Sequence, residues 1–362
     1  MKISPNTLVS KGAVVKRQSL KVKHRSLKGI FCLMQSKSVI LTSLLSISVV
    51  WLTWLLVLTP KDAISNFVAH WEIALTMLFG SLVAGGTSMG GGAVAFPVLT
   101  KLLEISPYQA KVFSLAIQAV GMGSASLTII AMGTPLPWRL IYFASLGGIP
   151  GIWLGSAILA PVLPPDVIRI SFTMMLSSFW VIFQAFGPTQ KAHNLVVRSW
   201  DQQVKIIIFI AGLLGGVFSG LMGTGMDIYL FSVMVLLFNL CEKISTPTSV
   251  VLMAINAIVG FFLHQFVIGD FVEPIPSYWL AAVPIVVVGA PTGAIICSVL
   301  NRQTIIRILT ILIGLEFVSS LLLIPLSFFT VGLGFLVFLL FCSAYYWMYR
   351  TQLILNNPKW KP

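Results

Sequence analysis

The chain contains few charged residues: Asp, Glu, Lys and Arg make up only 9% of its 362 residues. Soluble globular domains contain about a quarter. Hydrophobic residues make up 57% of the chain, and its mean hydropathy is +0.97. This balance excludes an ordinary soluble domain and indicates a polytopic membrane protein.

Motifs of metal and nucleotide chemistry are also missing. The four cysteines stand far apart with no C-x-x-C pair, and neither H-E-x-x-H nor a Walker-type G-x-x-x-x-G-K-[ST] occurs. The sequence therefore predicts no metal site, no cofactor and no ATP-driven transport within this chain. An intramembrane enzyme would need a nucleophile, base or metal cluster, and the predicted spans contain none. We therefore expect a protein that is not an enzyme.

The net charge of +13 would suggest nucleic-acid binding in a soluble chain. Here the basic residues are concentrated in residues 1–37, which contain no acid and precede an apolar span. Membrane lipids are therefore the expected partners of this charge, and nucleic acid is not. Residues 1–37 are interpreted as a cytoplasmic tail, and an organellar targeting segment is the alternative. We expect the inner (cytoplasmic) membrane of a cell, or an organellar membrane if residues 1–37 are a targeting segment.

Apolar runs of about 20 residues predict an all-α bundle of about ten spans. The predicted order is an extra span at 38–60, a repeat at 71–187, a polar connector at 188–203, a second repeat at 204–325, an extra span at 327–350 and a tail at 351–362. Each repeat has four spans, of which the first is interrupted by glycines. Four spans would make the repeats parallel, unless the interrupted segments turn back. In the parallel arrangement Lys111 and Arg169 lie on the cytoplasmic side with the N-terminus, and Arg139 and Lys205 on the opposite side.

The two interruptions are the most distinctive feature of the sequence. Residues 85–92 read Gly-Gly-Thr-Ser-Met-Gly-Gly-Gly, and a similar stretch recurs at 220–227 as Gly-Leu-Met-Gly-Thr-Gly-Met-Asp. Glycine costs about 1 kcal/mol per helix position relative to alanine, so each stretch predicts a break in a helix. At membrane depth a break is tolerated only where protein or a water-filled cavity satisfies the backbone. The restarting helix presents free amides with partial positive charge, which favours a small anion.

The predicted substrate-binding residues belong to both breaks and to the span that follows each of them. They are Gly86, Thr87, Ser88, Gly90, Gly91, Gly92, Ser114, Gln118, Ser219, Gly220, Gly223, Thr224, Gly225, Thr248, Ser249 and Asn256. No Lys or Arg is expected deep in a span, so neutral dipoles would do the binding. Asp227 is either a proton carrier or the N-terminal cap of the restarting helix, and the sequence leaves both open.

Close helix packing is the alternative role for glycine in a membrane. We favour it for two regularly spaced ladders, Gly147/Gly151/Gly155 and Gly212/Gly216/Gly220, which have no cluster of hydroxyls.

These motifs resemble the sulfite exporter TauE/SafE family, also called the toluene-sulfonate uptake permease group. The resemblance rests on 86–92 with Pro97, the copy at 220–225, the segments at 111–114 and 248–249, and two helix starts with Arg169 and Arg307. It implies a secondary transporter for small sulfur-containing anions such as sulfite, sulfate and sulfonates, or for small carboxylates. Met226 and Asp227 stand where the family usually keeps more glycine. A membrane scaffold or partner subunit without transport is the alternative function.

Overall fold

The computed structural model describes residues 37–91, 98–186, 194, 196–197, 200–323 and 328–355. Residues 1–36 and 356–362 of the predicted tails, most of the connector at 188–203, and Gly92 and Pro97 lie outside these residues, whereas 351–355 of the predicted C-terminal tail continue the last helix. Within the described residues the fold is all-helical and has no strand.

Twelve α-helices form the described part of the bundle. In chain order they are α1 (Lys37–Val57), α2 (Pro60–Ala69), α3 (Trp71–Gly86), α4 (Pro107–Ala131), α5 (Trp138–Trp153), α6 (Pro165–Phe186), α7 (Gln202–Met222), α8 (Met226–Leu236), α9 (Glu242–Phe262), α10 (Ile275–Val299), α11 (Arg302–Leu323) and α12 (Phe328–Leu355). Single π-helical turns lie at Val98–Leu102, Leu154–Leu159 and Leu263–Ile268. Nine of the described helices are long and apolar enough to cross a membrane, or ten if α2 and α3, bent by 82°, form one span. The predicted polytopic helical bundle is confirmed.

The bundle has two ends, which polar contacts identify. At one end Tyr108 donates a hydrogen bond to Asp270, and the Asn66 Nδ2 donates to the Ser277 carbonyl at 2.9 Å. We call this the Asp270 end. At the other end Arg302 Nε and Glu242 Oε2 lie 2.5 Å apart. We call it the Lys37 end, because α1 begins there.

Both interrupted segments turn back on themselves. α3 runs beside α10 in the same direction, since Ser81 contacts Gly289 and Gly86 contacts Gly293. α3 therefore leads toward the Lys37 end, yet α4 begins at the Asp270 end. The chain between them returns.

The second interruption shows the same return in the opposite sense. α7 runs beside α5 toward the Asp270 end, with Gly212 against Ala144 and Gly220 against Ile152. The chain after α8 reaches the Lys37 end, where the Asn194 amide donates to the Asn239 carbonyl at 2.8 Å. Each half of the bundle therefore contains one more traverse than the four spans predicted.

This extra traverse corrects the predicted sides of several basic residues. Lys111 and Arg169 lie at the Asp270 end, opposite α1's start. Arg139 and Lys205 lie at the Lys37 end, near the starts of α5 and α7. Hydropathy alone reports the length of an apolar run, and a return inside one run reverses every later assignment.

The two glycine ladders hold α5 and α7 in close contact, which confirms the packing role predicted for them. A Cβ on Gly151 would lie 2.2 Å from the Leu213 carbonyl oxygen, and one on Gly212 would lie 2.0 Å from that of Ala144. Only glycine allows the two backbones to approach this closely.

We expect Gly151→Ala to lower stability by about 1–3 kcal/mol, because the added methyl overpacks the contact between α5 and α7. Gly314→Ala on α11 is the matched control, since a Cβ there meets nothing within 4 Å. The control should keep or raise the melting temperature of the purified protein, because alanine stabilises a helix relative to glycine. Equal melting temperatures for the two variants would contradict this packing.

Candidate functional site

The first break follows α3 directly. The Thr87 amide and its hydroxyl both donate to the Val83 carbonyl at 2.9 Å, and the Met89 amide donates to the Thr87 hydroxyl at 3.3 Å. Gly90 then takes a left-handed backbone with φ of +65°. Thr87 and Ser88 are buried. The glycine-rich stretch thus ends the helix inside the protein. There the Thr87 hydroxyl forms some of the hydrogen bonds that the interrupted helix backbone can no longer form.

The second break separates α7 from α8. Gly223 and Gly225 both have left-handed backbones, with φ of +77° and +116°. A Cβ on Gly223 would lie 2.5 Å from the Lys111 carbonyl oxygen, so this turn presses against α4. Every residue of α8 is buried. The break therefore lies wholly inside the bundle.

The two breaks meet at Gly90. Three oxygens lie within 3.0 Å of the position that a Gly90 Cβ would take: Asp227 Oδ2 at 2.6 Å, Thr224 Oγ1 at 2.9 Å and Gln118 Oε1 at 3.0 Å. We call Gly90, Gln118, Thr224 and Asp227 the central cluster. The three side chains are at most 2% exposed. None of the three oxygens has a hydrogen-bond partner among the described residues.

Gln118 and Ser114 tie α4 to the second break. The Gln118 Nε2 donates to the Gly223 carbonyl and to the Ser114 hydroxyl, each at 2.7 Å. The Ser114 hydroxyl also donates to the Gly223 carbonyl, at 3.0 Å. These bonds take up the amide nitrogen of Gln118, so its oxygen is the atom that faces Gly90.

Asp227 uses its two oxygens differently. Oδ1 accepts hydrogen bonds from the Ile228 amide at 3.0 Å and from the Gly225 amide at 3.3 Å. This is the capping role predicted for the restarting helix. Oδ2 has no partner and faces Gly90. The predicted proton-carrying role concerns this second oxygen, and the geometry of the cap leaves it a prediction.

Several other predicted residues pack against neighbouring helices. Gly86 packs against Gly293 of α10, and Gly220 against Ile152 of α5. Gly91 packs back on α3, and the Ser219 hydroxyl lies 3.8 Å from the Met253 sulfur.

The predicted polar residues of α9 make no hydrogen bond to the central cluster within the described residues. The hydroxyls of Thr248 and Ser249 donate to carbonyls of α9 itself, those of Ile244 and Thr246. Asn256 lies against Gly148 of α5, with both amide atoms buried and without a partner.

A recess opens at the Lys37 end. It is a cavity of about 250 Å³ between the ends of α3, α4 and α10 and the starts of α9 and α11. Lys243, Thr246 and Ser298 line it together with apolar side chains, and the Thr246 hydroxyl has no partner. The Ser298 hydroxyl donates to the Ile295 carbonyl at 2.7 Å, so the charge of Lys243 and the Thr246 hydroxyl are the groups that suit the recess to a small anion.

A smaller recess of about 50 Å³ opens at the Asp270 end, lined by Tyr108, Lys111 and Arg169. Lys111 is 2% exposed, and its ammonium lies 4.5 Å from the centre of the Tyr108 ring with no hydrogen-bond partner. The sequence did not predict this burial, although Lys111 is only the fifth residue of α4 and so does not lie deep in a span. The available signal was a lysine inside the apolar run Ala110-Lys111-Val112-Phe113.

Asp270 supplies a fixed negative charge beside this recess. Burial alone would raise the pKa of Asp270, but hydrogen bonds from His264 and Tyr108 and the charges of His264 and Lys111 hold it below its usual value. The His264 Nδ1 lies 2.8 Å from Asp270 Oδ1. Asp270 therefore stays ionised at neutral pH and attracts Lys111 without a direct bond.

The central cluster lies between the two recesses. Along α4, Gln118 is seven residues from Lys111 at one recess and eleven from Ile129 at the other. At a rise of 1.5 Å per residue, these separations are about 10 Å and about 16 Å. The central cluster therefore lies at an intermediate depth of the bundle.

The sulfite exporter TauE/SafE family model matches residues 73–322, more than half of the chain. The chain belongs to the TauE/SafE family. Comparisons with curated proteins and with solved structures gave no match. The TauE/SafE region runs from α3 to α11, and α1, α2 and α12 lie outside it.

Membership in the TauE/SafE family implies an integral membrane transporter of sulfur-containing anions. It is a family of transporters and not of enzymes. Within the described residues, no three His, Cys, Asp or Glu side chains come together as a transition-metal site would require.

We expect Gly90→Ala to weaken sulfite binding and transport by about tenfold or more, which corresponds to about 1.4 kcal/mol. The new methyl would displace the Asp227 carboxylate. Gly269→Ala is the matched control, because Gly269 also has a left-handed backbone, with φ of +75°, but a Cβ there meets nothing within 4 Å. Both variants bear the same backbone strain, and only Gly90→Ala should lose counterflow of labelled sulfite in proteoliposomes. Equal counterflow in the two variants would mean that the cluster is not the site.

Proposed function

We propose that the protein is a secondary transporter that moves small sulfur-containing anions through the paired helix breaks by alternating access. The observation that carries this proposal is the meeting of the two breaks between recesses at opposite ends of the bundle. The predicted binding residues of the breaks stay the proposed binding region, with Gln118 and Ser114 as the residues that hold the second break in place.

The proposal treats the two halves of the matched region as inverted repeats. The opposite directions of the corresponding helices support this: α3 and α7, α4 and α9, α5 and α10, and α6 and α11 each run in opposite senses. In an inverted pair, each half can adopt the shape of the other. Exchange of the two shapes would open one recess and close the other.

The charges at each end support an anionic solute. Lys243 lies at the recess of the Lys37 end, and Lys111 and Arg169 at the recess of the Asp270 end. An ammonium without a hydrogen-bond partner is costly inside a protein, and an anion beside it would remove that cost. Lys111 would therefore receive the anion at the Asp270 end.

The distribution of charged residues between the two ends of the bundle orients the protein in the membrane. Seven described basic residues lie at the Lys37 end: Lys37, Arg139, Lys205, Lys243, Arg302, Arg307 and Arg350. Six acids lie at the other end: Asp62, Glu72, Glu104, Asp166, Asp270 and Glu273. Cytoplasmic ends are enriched in Lys and Arg, so we place the Lys37 end and the N-terminus in the cytoplasm of a cell whose inner membrane holds the protein.

The membrane potential decides which direction needs coupling. With the interior negative, moving one negative charge outward gains about 2.3 kcal/mol per 100 mV. Export of an anion therefore needs no second ion. Uptake of the same anion would need a cation to travel with it.

A counterflow screen tests the proposed solute class. We expect labelled sulfite in proteoliposomes to exchange with sulfite, sulfate, thiosulfate or sulfonates, and less with short carboxylates. The same solutes should raise the melting temperature of the purified protein. A response only to cations or to neutral solutes would overturn the anion proposal, and no response to any solute would favour the scaffold alternative.

We expect Lys111→Met to weaken sulfite affinity from the Asp270 end by about tenfold, or about 1.4 kcal/mol. The melting temperature should stay equal or rise, because methionine fills the space of lysine without a buried charge. Lys61→Met is the control, since Lys61 is exposed on α2 at the same end. Apparent KM values measured from each side of the membrane would report the change. An unaltered KM in Lys111→Met would remove Lys111 from the anion pathway.

A further inference from the structure

Two of the three oxygens of the central cluster are acceptors only, and the Thr224 hydroxyl can donate to only one of them at a time. Asp227 Oδ2 and Gln118 Oε1 can only accept hydrogen bonds while the carboxyl is ionised, and both lie within 3.0 Å of the Gly90 Cβ position. The Gln118 amide nitrogen is already bonded to Gly223 and Ser114, so the amide cannot turn to offer a donor. Buried acceptors that face each other without a partner are unfavourable. A positive species among them would satisfy all three oxygens.

We propose that these oxygens form a binding site for one sodium ion. Its protein ligands are Asp227 Oδ2, Gln118 Oε1 and Thr224 Oγ1. This inference rests on the proposed function, because it names the ion that would travel with the anion.

The chemistry of the donor set selects the class of ion. Carboxylate, amide and hydroxyl oxygens are ligands of hard cations, and no thiolate or imidazole is among them. The set carries one negative charge, that of Asp227, which one monovalent cation neutralises. A divalent ion would leave an uncompensated charge in the membrane interior.

The other two oxygens nearest the Gly90 Cβ position bring no further charge to the site. They belong to Thr224 and Gln118, which are both uncharged. Of the acids on neighbouring helices, Glu242 is paired with Arg302 at the Lys37 end. The site therefore depends on Asp227 for its charge and on the other two oxygens for its selectivity.

A sodium ion bound at this position would couple the binding of sodium to the binding of the anion. An anion that enters from either recess approaches a negative carboxylate, which repels it. A bound sodium ion removes the repulsion and offers a positive charge, so each ion should raise the affinity for the other by the same factor. Typical coupling of this kind changes affinity by about 5-fold to 150-fold.

The first test uses the purified protein without any anionic substrate. Sodium chloride should raise the melting temperature relative to choline chloride at equal ionic strength in the natural protein. The Asp227→Asn variant should lose this response, although its amide oxygen can still cap α8. Asp201→Asn, an exposed acid before α7, is the control and should respond as the natural protein does. A sodium response that survives in Asp227→Asn would overturn the site.

The second test separates the site from the proposed transport. In proteoliposomes, an inward sodium gradient at equal pH should raise sulfite accumulation by about fivefold or more in the natural protein. Asp227→Asn should lose this sodium-driven accumulation, so that any sulfite flux it retains no longer responds to the sodium gradient. Counterflow without any sodium dependence in the natural protein would overturn the sodium site and leave the proposed transport standing. An absence of sulfite flux would instead contradict the transport proposal, while the melting-temperature test still decides the site.

Thr224→Val distinguishes sodium from a proton on Asp227. Valine has nearly the shape of threonine, and the lost hydroxyl has no partner in the protein, so the fold should be kept. Removing one ligand should weaken the sodium response by about fivefold or more. An unchanged sodium response in Thr224→Val, or accumulation that follows a pH gradient and not a sodium gradient, would overturn the proposal.

Discussion

The structure depends on one constraint: a backbone that leaves its helix inside a membrane must find hydrogen-bond partners in the protein. Each break has its own solution. Thr87 bonds back to Val83, and Asp227 accepts the amides of Gly225 and Ile228. The Gly223 carbonyl is taken by Ser114 and Gln118 from the neighbouring helix α4. Because lipid could supply none of these bonds, the breaks must lie inside the bundle, and α8 is accordingly buried along its whole length.

Close packing around the breaks follows from the same constraint. α5 meets α7 and α3 meets α10 through glycines, and a Cβ on Gly85 would lie only 1.8 Å from the Ala290 carbonyl oxygen. Contacts this close exclude lipid from the region of the breaks and leave little freedom to bend. Interiors packed in this way rearrange between discrete states rather than deform continuously. The glycine contacts therefore suit a protein in which packed helix pairs move as rigid units and the breaks act as hinges.

The sequence predicted the spans and the two breaks well, because apolar length and glycine content act locally. Gln118 was predicted from its amide in the span after the first break, and it lies in the central cluster. The same reasoning could not predict the directions of the helices, because an apolar run does not show that the chain turns back at Gly90 or Gly223. Neither the burial of Lys111 nor its place at the Asp270 end was predicted, because both depend on that return. Gly86 and Gly220 were predicted as binding residues because they lie in glycine-rich stretches. They instead pack against Gly293 and Ile152, which only long-range contacts could reveal.

Electrostatics then decides how such a site can work. A carboxylate at the centre of an anion pathway opposes the solute it is meant to pass, and the interior cannot screen that repulsion as water does. An uncharged Asn at position 227 could accept the same two amide bonds through its one oxygen. The bonds to α8 use only Oδ1, so they give no reason for a charge on Oδ2. In the proposed mechanism, Oδ2 together with Gln118 and Thr224 would make the passage of the anion conditional on a positive charge at the point where the two breaks meet.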